Sequence, residues 1–168
     1  AGADTLALGG GTNTLSASGI ESITATEGTD ALTLTSGYGG TVNLGGGSDT
    51  LTVTGTNSLA LSGVETVLGS SGNDTVTFTT VQSGISVDLG LGTDTLVLGS
   101  GANSLAFSGI ELLQVASTGN VADVLTLTGS SSGGTINMGS GTDTLALAAG
   151  SYSFAASGIE SITGSSGA

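Results

Sequence analysis

The chain has 168 residues, with 13 acids, no lysine, arginine or histidine, a net charge of −13, no cysteine, no proline and 32 glycines. Without a basic side chain it has no means of holding nucleic acid or an anionic membrane surface, and without cysteine it forms neither disulfides nor thiolate metal sites. Regularly spaced Leu, Val and Ile separate it from a disordered glycine-rich linker, and no stretch is long and apolar enough for a membrane-spanning helix.

The first element is Asp4-Thr5-Leu6. The same tripeptide returns at Asp49, Asp94 and Asp143, at intervals of 45, 45 and 49 residues. A fixed period of this length marks a repeat architecture. Asp30, Asp74 and Asp123 fall between these and also lead into apolar alternation, making seven Asp-led strands at intervals of 26, 19, 25, 20, 29 and 20 residues. The alternating intervals predict an all-β, parallel β-solenoid (a β-roll or β-helix) of about seven coils that alternate in length.

Within each strand, the second and fourth residues after Asp share a face because strand side chains alternate. These are Leu6/Leu8, Leu32/Leu34, Leu51/Val53, Val76/Phe78, Leu96/Leu98, Leu125/Leu127 and Leu145/Leu147, all apolar and expected to point inward. The outward positions are mostly Thr, including Thr35, Thr50, Thr52, Thr75 and Thr77. Period-2 alternation with Thr and Val supports strand and excludes helix.

The long intervals carry two further strand starts. One opens on Asn (Asn13-Thr14-Leu15, Asn57-Ser58-Leu59, Asn103-Ser104-Leu105), with Tyr152 in the last copy. The other opens on Glu, in GIESI from Gly19, GVETV from Gly63, GIELL from Gly109 and GIESI from Gly158. The short intervals close with TVNLG (Thr41–Gly45), SVDLG (Ser86–Gly90) and TINMG (Thr135–Gly139), which places Asp88 where sister units have Asn43 and Asn137. Glycine suits tight corners, and Asp or Asn bonds the local backbone there. Asn13, Asn57 and Asn103 are expected to stack as an amide ladder, and Glu21, Glu65, Glu111 and Glu160 as a solvated column recurring every second coil. Ser117–Asp123 is the one irregular stretch, expected to be an enlarged corner. No composition shift divides the chain, so residues 1–168 are expected to be one solenoid segment, and a start at Ala1 rather than Met suggests part of a longer chain.

Three units, LGGGSDTLT from Leu44, LGLGTDTLV from Leu89 and MGSGTDTLA from Met138, together with GSSGNDTVT from Gly69, resemble the haemolysin-type calcium-binding (RTX) repeat, G-G-x-G-x-D-x-U-x with U a large apolar residue. The match is divergent. The first glycine is Leu44, Leu89 or Met138 in three units, and GSSGNDTVT lacks the second. The resemblance implies a parallel β-roll, secretion, and Ca²⁺ held in the turns by Asp carboxylates and backbone carbonyls. The candidate ligands are Asp49, Asp74, Asp94 and Asp143, which match the motif best, followed by Asp4 and Asp30.

Charge points the same way. Carboxylates stacked ~4.8 Å apart repel by roughly 3.5 kcal/mol at an effective dielectric of 20, which favours a bound cation or a raised pKa. Catalysis is not expected: His, Cys and Lys are absent, and the acids fall at repeat-equivalent positions, not in one constellation. The expected function is therefore a structural, calcium-stabilised repeat segment of a secreted bacterial surface, adhesin or extracellular-filament protein. Open solenoid ends would favour head-to-tail self-association into filaments or surface layers. Two alternatives are a calcium-binding secretion module of a larger secreted enzyme and, from the Thr faces, an ice-binding solenoid.

Overall fold

The structure, a computed structural model, describes residues 2–9, 13, 16–17, 19–34, 38–117 and 119–164. Leu15 and Thr35 lie outside the described residues.

Among the described residues the regular structure is all β. In chain order the strands are β1 (Thr5–Ala7), β2 (Ser16–Ala17), β3 (Ser22–Thr24), β4 (Glu27–Gly28), β5 (Ala31–Leu34), β6 (Gly39–Asn43) and β7 (Gly46–Gly47). There follow β8 (Thr50–Val53), β9 (Ser58–Ser62), β10 (Thr66–Ser70), β11 (Thr75–Phe78), β12 (Ser83–Gly90), β13 (Thr95–Gly99) and β14 (Ala102–Ser108). The last are β15 (Leu112–Ala116), β16 (Val124–Leu127), β17 (Ser131–Asn137), β18 (Thr144–Leu147), β19 (Tyr152–Ser157) and β20 (Ser161–Gly164).

They form two nine-stranded sheets. The first runs β1-β3-β6-β9-β11-β13-β15-β17-β19, the second β2-β5-β8-β10-β12-β14-β16-β18-β20, and β4-β7 make a small third at one corner. Every pairing is parallel, as in β11 with β13 (Val76↔Leu96) and β16 with β18 (Leu125↔Leu145). The chain winds from one sheet to the other and back, once per coil. Nine strands per sheet make eight steps, so the parallel β-solenoid has about eight turns and is roughly 38 Å long at the usual strand spacing.

The Asp-led strands do not form one stack, and the coils do not alternate in length as the intervals suggest. Residues in register lie between 16 (Thr50↔Thr66) and 23 (Leu112↔Thr135) positions apart. The short intervals, such as Asp30 to Asp49, are one coil. The long ones are a coil and a half: from Asp49, which leads β8 in the second sheet, one coil reaches Glu65 before β10, and half a coil more reaches Asp74 before β11 in the first sheet. The 45-residue repeat therefore spans about two and a half coils, and successive copies start on opposite sheets.

The core lies between the sheets. Of the 14 residues assigned inward, 11 are buried; Leu6, Leu8 and Leu147, near the two ends, are partly buried against them. Phe78 is the largest fully buried side chain, and the interior is otherwise mostly Leu, Val and Ile. A flat two-sheet interior filled by one row of branched aliphatics per coil needs few aromatics. Among the described residues of the stretch from Ser117 to Asp123 no strand intervenes between β15 and β16, as expected of an enlarged corner, and the Ser117 hydroxyl lies within hydrogen-bond distance of the Gly119 and Ser140 carbonyls.

Many glycines are explained by stacking. A Cβ on Gly47, Gly92 or Gly141, two residues before a corner Asp, would collide with the carbonyl oxygen of Gly28, Gly72 or Val121 in the preceding coil. The backbones approach too closely at these corners for any side chain.

Candidate functional site

Among the described residues, corner acids are the ionisable groups that recur in register. At the corner entering the second sheet, Asn13, Asp30, Asp49 and Glu65 succeed one another coil by coil. The Asp30 N–H donates to Asp49 Oδ1 at 2.9 Å, the Asp49 N–H to Glu65 Oε2 at 2.8 Å, and the Asn13 amide to Asp30 Oδ1. The same Asn–Asp–Asp–Glu order appears one repeat on, at the corner entering the first sheet. There the Asn57 N–H donates to Asp74 Oδ1 at 2.9 Å, the Asp74 N–H to Asp94 Oδ1 at 2.7 Å, and the Asp94 N–H to Glu111 Oε2 at 2.7 Å.

A third block returns to the corner of the second sheet. Its Asp123 accepts from the Gly101 N–H (2.6 Å) and Ser100 hydroxyl (2.7 Å). The Asp123 N–H donates to Asp143 Oδ1 (2.9 Å) and the Asp143 N–H to Glu160 Oε2 (2.7 Å). At the first coil the exposed Asp4 donates its N–H to Glu21 Oε2 at 2.8 Å. Apart from Asp30, which accepts the Asn13 side-chain amide, the inner aspartates and the four glutamates thus cap the backbone N–H of the equivalent residue one coil earlier.

The backbone is spent in the same way. The carbonyls of Asp4, Asp49, Asp94 and Asp143 each accept two N–H groups, one from the Glu of the next coil and one from the residue after it. At the Asp–Asp steps the Asp30, Asp74 and Asp123 carbonyls accept from Thr50, Thr95 and Thr144 at 2.9 Å.

The sequence-derived candidates are therefore distributed over two corners. Asp4, Asp74 and Asp94 stand at the first, Asp30, Asp49 and Asp143 at the second. Closest along the axis are the pairs Asp30–Asp49, Asp74–Asp94 and Asp123–Asp143. The glutamates are expected from the sequence to be solvated, and Glu21, Glu111 and Glu160 are exposed with Glu65 half-buried; each also caps the Asp before it. The constant Asp-to-Glu spacing of 16 or 17 residues, which is one coil, is the signal that could have found this.

Two further expectations change. Glu21 and Glu111 share one corner while Glu65 and Glu160 share the other, so the glutamates do not recur every second coil. The asparagines do not stack on one another: Asn57 Oδ1 caps the Tyr38 N–H at 3.3 Å, and Asn103 Oδ1 caps the Gln82 N–H at 2.9 Å, on opposite corners. Asp88 is equivalent to Asn43 and Asn137, but through a local turn and not a ladder. Each accepts the N–H two residues on, from Gly90, Gly45 and Gly139.

All six inner aspartates, Asp30, Asp49, Asp74, Asp94, Asp123 and Asp143, are at most 1% exposed. The second oxygen of each, Oδ2, is buried with no hydrogen-bond partner. Burial raises the Asp49, Asp74 and Asp94 carboxyls above their ordinary value. The charges of Glu65 and Asp30 add to this at Asp49, and those of Asp74 and Glu111 at Asp94, while the N–H bonds they accept oppose it.

Calcium takes six to eight oxygen ligands. These corners offer one uncommitted carboxylate oxygen per coil, the neighbouring carbonyls are already bonded, and among the described residues no three acidic side chains converge. The arrangement does not fit a calcium cage. Comparison with protein-family models, curated proteins and solved structures finds no match for this chain.

Proposed function

We propose that this chain is a structural, non-catalytic repeat segment of a secreted bacterial surface, adhesin or extracellular-filament protein. One observation carries the reading. The acids of the three blocks, the only recurring reactive groups, are spent holding successive coils together through backbone N–H bonds. An acid or base in catalysis occupies a singular position, and these acids recur at repeat-equivalent ones. The secreted setting rests on the likeness to RTX repeats.

Self-association extends the same reading. Ile162 in β20 is 63% exposed, whereas its register partner Leu145 is fully buried. A strand edge with an uncovered apolar row is a template for a further coil. A further coil, whether of the same chain or of a second copy stacked end to end, would cover that row.

Negative-stain microscopy and sedimentation at rising concentration test this. Linear particles are expected with calcium and with chelator alike, and Ile162→Lys is expected to shorten them. Monomers at all concentrations in both conditions would overturn the filament reading.

A further inference from the structure

The three aspartate pairs raise a question the structural reading does not answer: what compensates six buried carboxylate oxygens in a chain that has no cationic side chain? Each pair is built alike. One oxygen, Oδ1, points along the axis and accepts an N–H, while Oδ2 is sealed in the corner. An ionised carboxylate with a bare buried oxygen loses its hydration without recompense, and a second one a coil away adds repulsion. Neutralisation removes both costs, and a proton is the smallest species that achieves it.

We propose that the pairs Asp30–Asp49 and Asp74–Asp94 are built-in proton-binding sites, taking a proton from solvent on the inward Oδ2 of Asp49, Asp74 or Asp94, so that the solenoid tightens as the medium acidifies. On alkalinisation the proton returns to solvent and the corner carries two facing charges. The inference stands apart from the filament reading, because it concerns a single chain.

The groups facing each site are all acidic or neutral. Asp49 stands between Asp30 and Glu65, and Asp94 between Asp74 and Glu111. Asp74 meets Asn57, and Asp30 meets Asn13. Glu27, in β4 of the same corner as Asp30, is exposed.

The sign is the reverse of the usual one for a structural carboxylate. The folded values of Asp49, Asp74 and Asp94 lie above the ordinary 3.8, so the native state binds more protons than the unfolded chain. Stability is therefore lost as pH rises through the raised folded values, and is fully present below the ordinary one.

The test is thermal melting by circular dichroism between pH 8 and pH 4.5, in chelator, on the full chain. The melting temperature is expected to rise by roughly 5 °C or more on acidification. The triple variant Asp49→Asn, Asp74→Asn, Asp94→Asn is expected to lose most of that rise. A control triple, Asp4→Asn, Glu27→Gln, Asp88→Asn, removes the same charge from exposed positions and is expected to keep it. A second readout, needing no variant, follows the Asp carboxyl carbons by NMR, where Asp49, Asp74 and Asp94 are expected to titrate above the ordinary aspartate value. A melting temperature that falls or stays level on acidification, equal slopes in the two triples, or Asp49, Asp74 and Asp94 carboxyls titrating at the ordinary value would each overturn the proposal.

Discussion

Glycine at the corners has two separable roles, and single alanine substitutions distinguish them. Gly69 in β10 is the clearest stacking glycine, because its backbone is not in the left-handed region. A Cβ there would collide with the Leu89 carbonyl oxygen in β12 and lie 2.7 Å from both the Leu89 carbonyl carbon and Cα. Neither is the end of a flexible side chain, so β10 and β12 must separate. The bond most exposed to that movement is Leu91 N–H to Ser70 O, at 2.7 Å. Losing that bond and a second one beside it, with their groups still buried, costs about 1–3 kcal/mol each, hence roughly 2–6 kcal/mol. At about 2–4 °C per kcal/mol for a chain of this size, the melting temperature should drop by roughly 5–20 °C.

Gly84 in β12 is the control. Its φ is +69°, and an added Cβ meets nothing within 4 Å, so Gly84→Ala carries only the left-handed penalty of about 1–2 kcal/mol. Thermal melting by circular dichroism ranks the two, and amide exchange at Leu91 locates the damage. Gly69→Ala is expected to lose about twice as much as Gly84→Ala. If it loses no more, coil stacking is not what demands glycine here.

Position along the axis should decide the worth of identical core contacts. Leu145→Ala, at a fully buried site, is expected to cost about 2–5 kcal/mol, while Ile162→Ala, one coil further and 63% exposed, should cost under about 1 kcal/mol by denaturant melts. Equal losses would mean that the last coil is covered. Asp88→Asn should shift stability by no more than about 0.5 kcal/mol, because Asn43 and Asn137 already make the same turn; a larger loss would show a separate role for that carboxylate. Tyr152→Phe removes a hydroxyl that donates to the Leu127 and Ala148 carbonyls, each at 3.1 Å, and should lower stability by about 1 kcal/mol in the same melts, with no change refuting those bonds.

The wall of the solenoid was legible because strand alternation is a local property. Leu96 and Leu98 declare their face whatever lies above them. The coil was harder to find because its two corners share one vocabulary. Asp74 and Asp49 look equivalent in sequence, and nothing in either says that one leads into the first sheet and the other into the second. The GxGxD stretch was legible as a motif, but its glycines and carboxylates suit both metal binding and close stacking. Only the position of the coil below, with Gly72 under Gly92 and the Asp74 N–H on Asp94 Oδ1, separates those uses.

A repeat of two and a half coils makes the solenoid a two-fold screw: each 45-residue unit advances about 12 Å along the axis and turns the pattern by half a revolution. Adding or deleting one unit would therefore exchange the acidic and neutral corners at every level beyond it. Anything fused to the far end would then emerge from the opposite edge. Two units restore the original edge. Length in this architecture is coupled to orientation, so chains that differ by an odd number of units would present their ends on opposite sides.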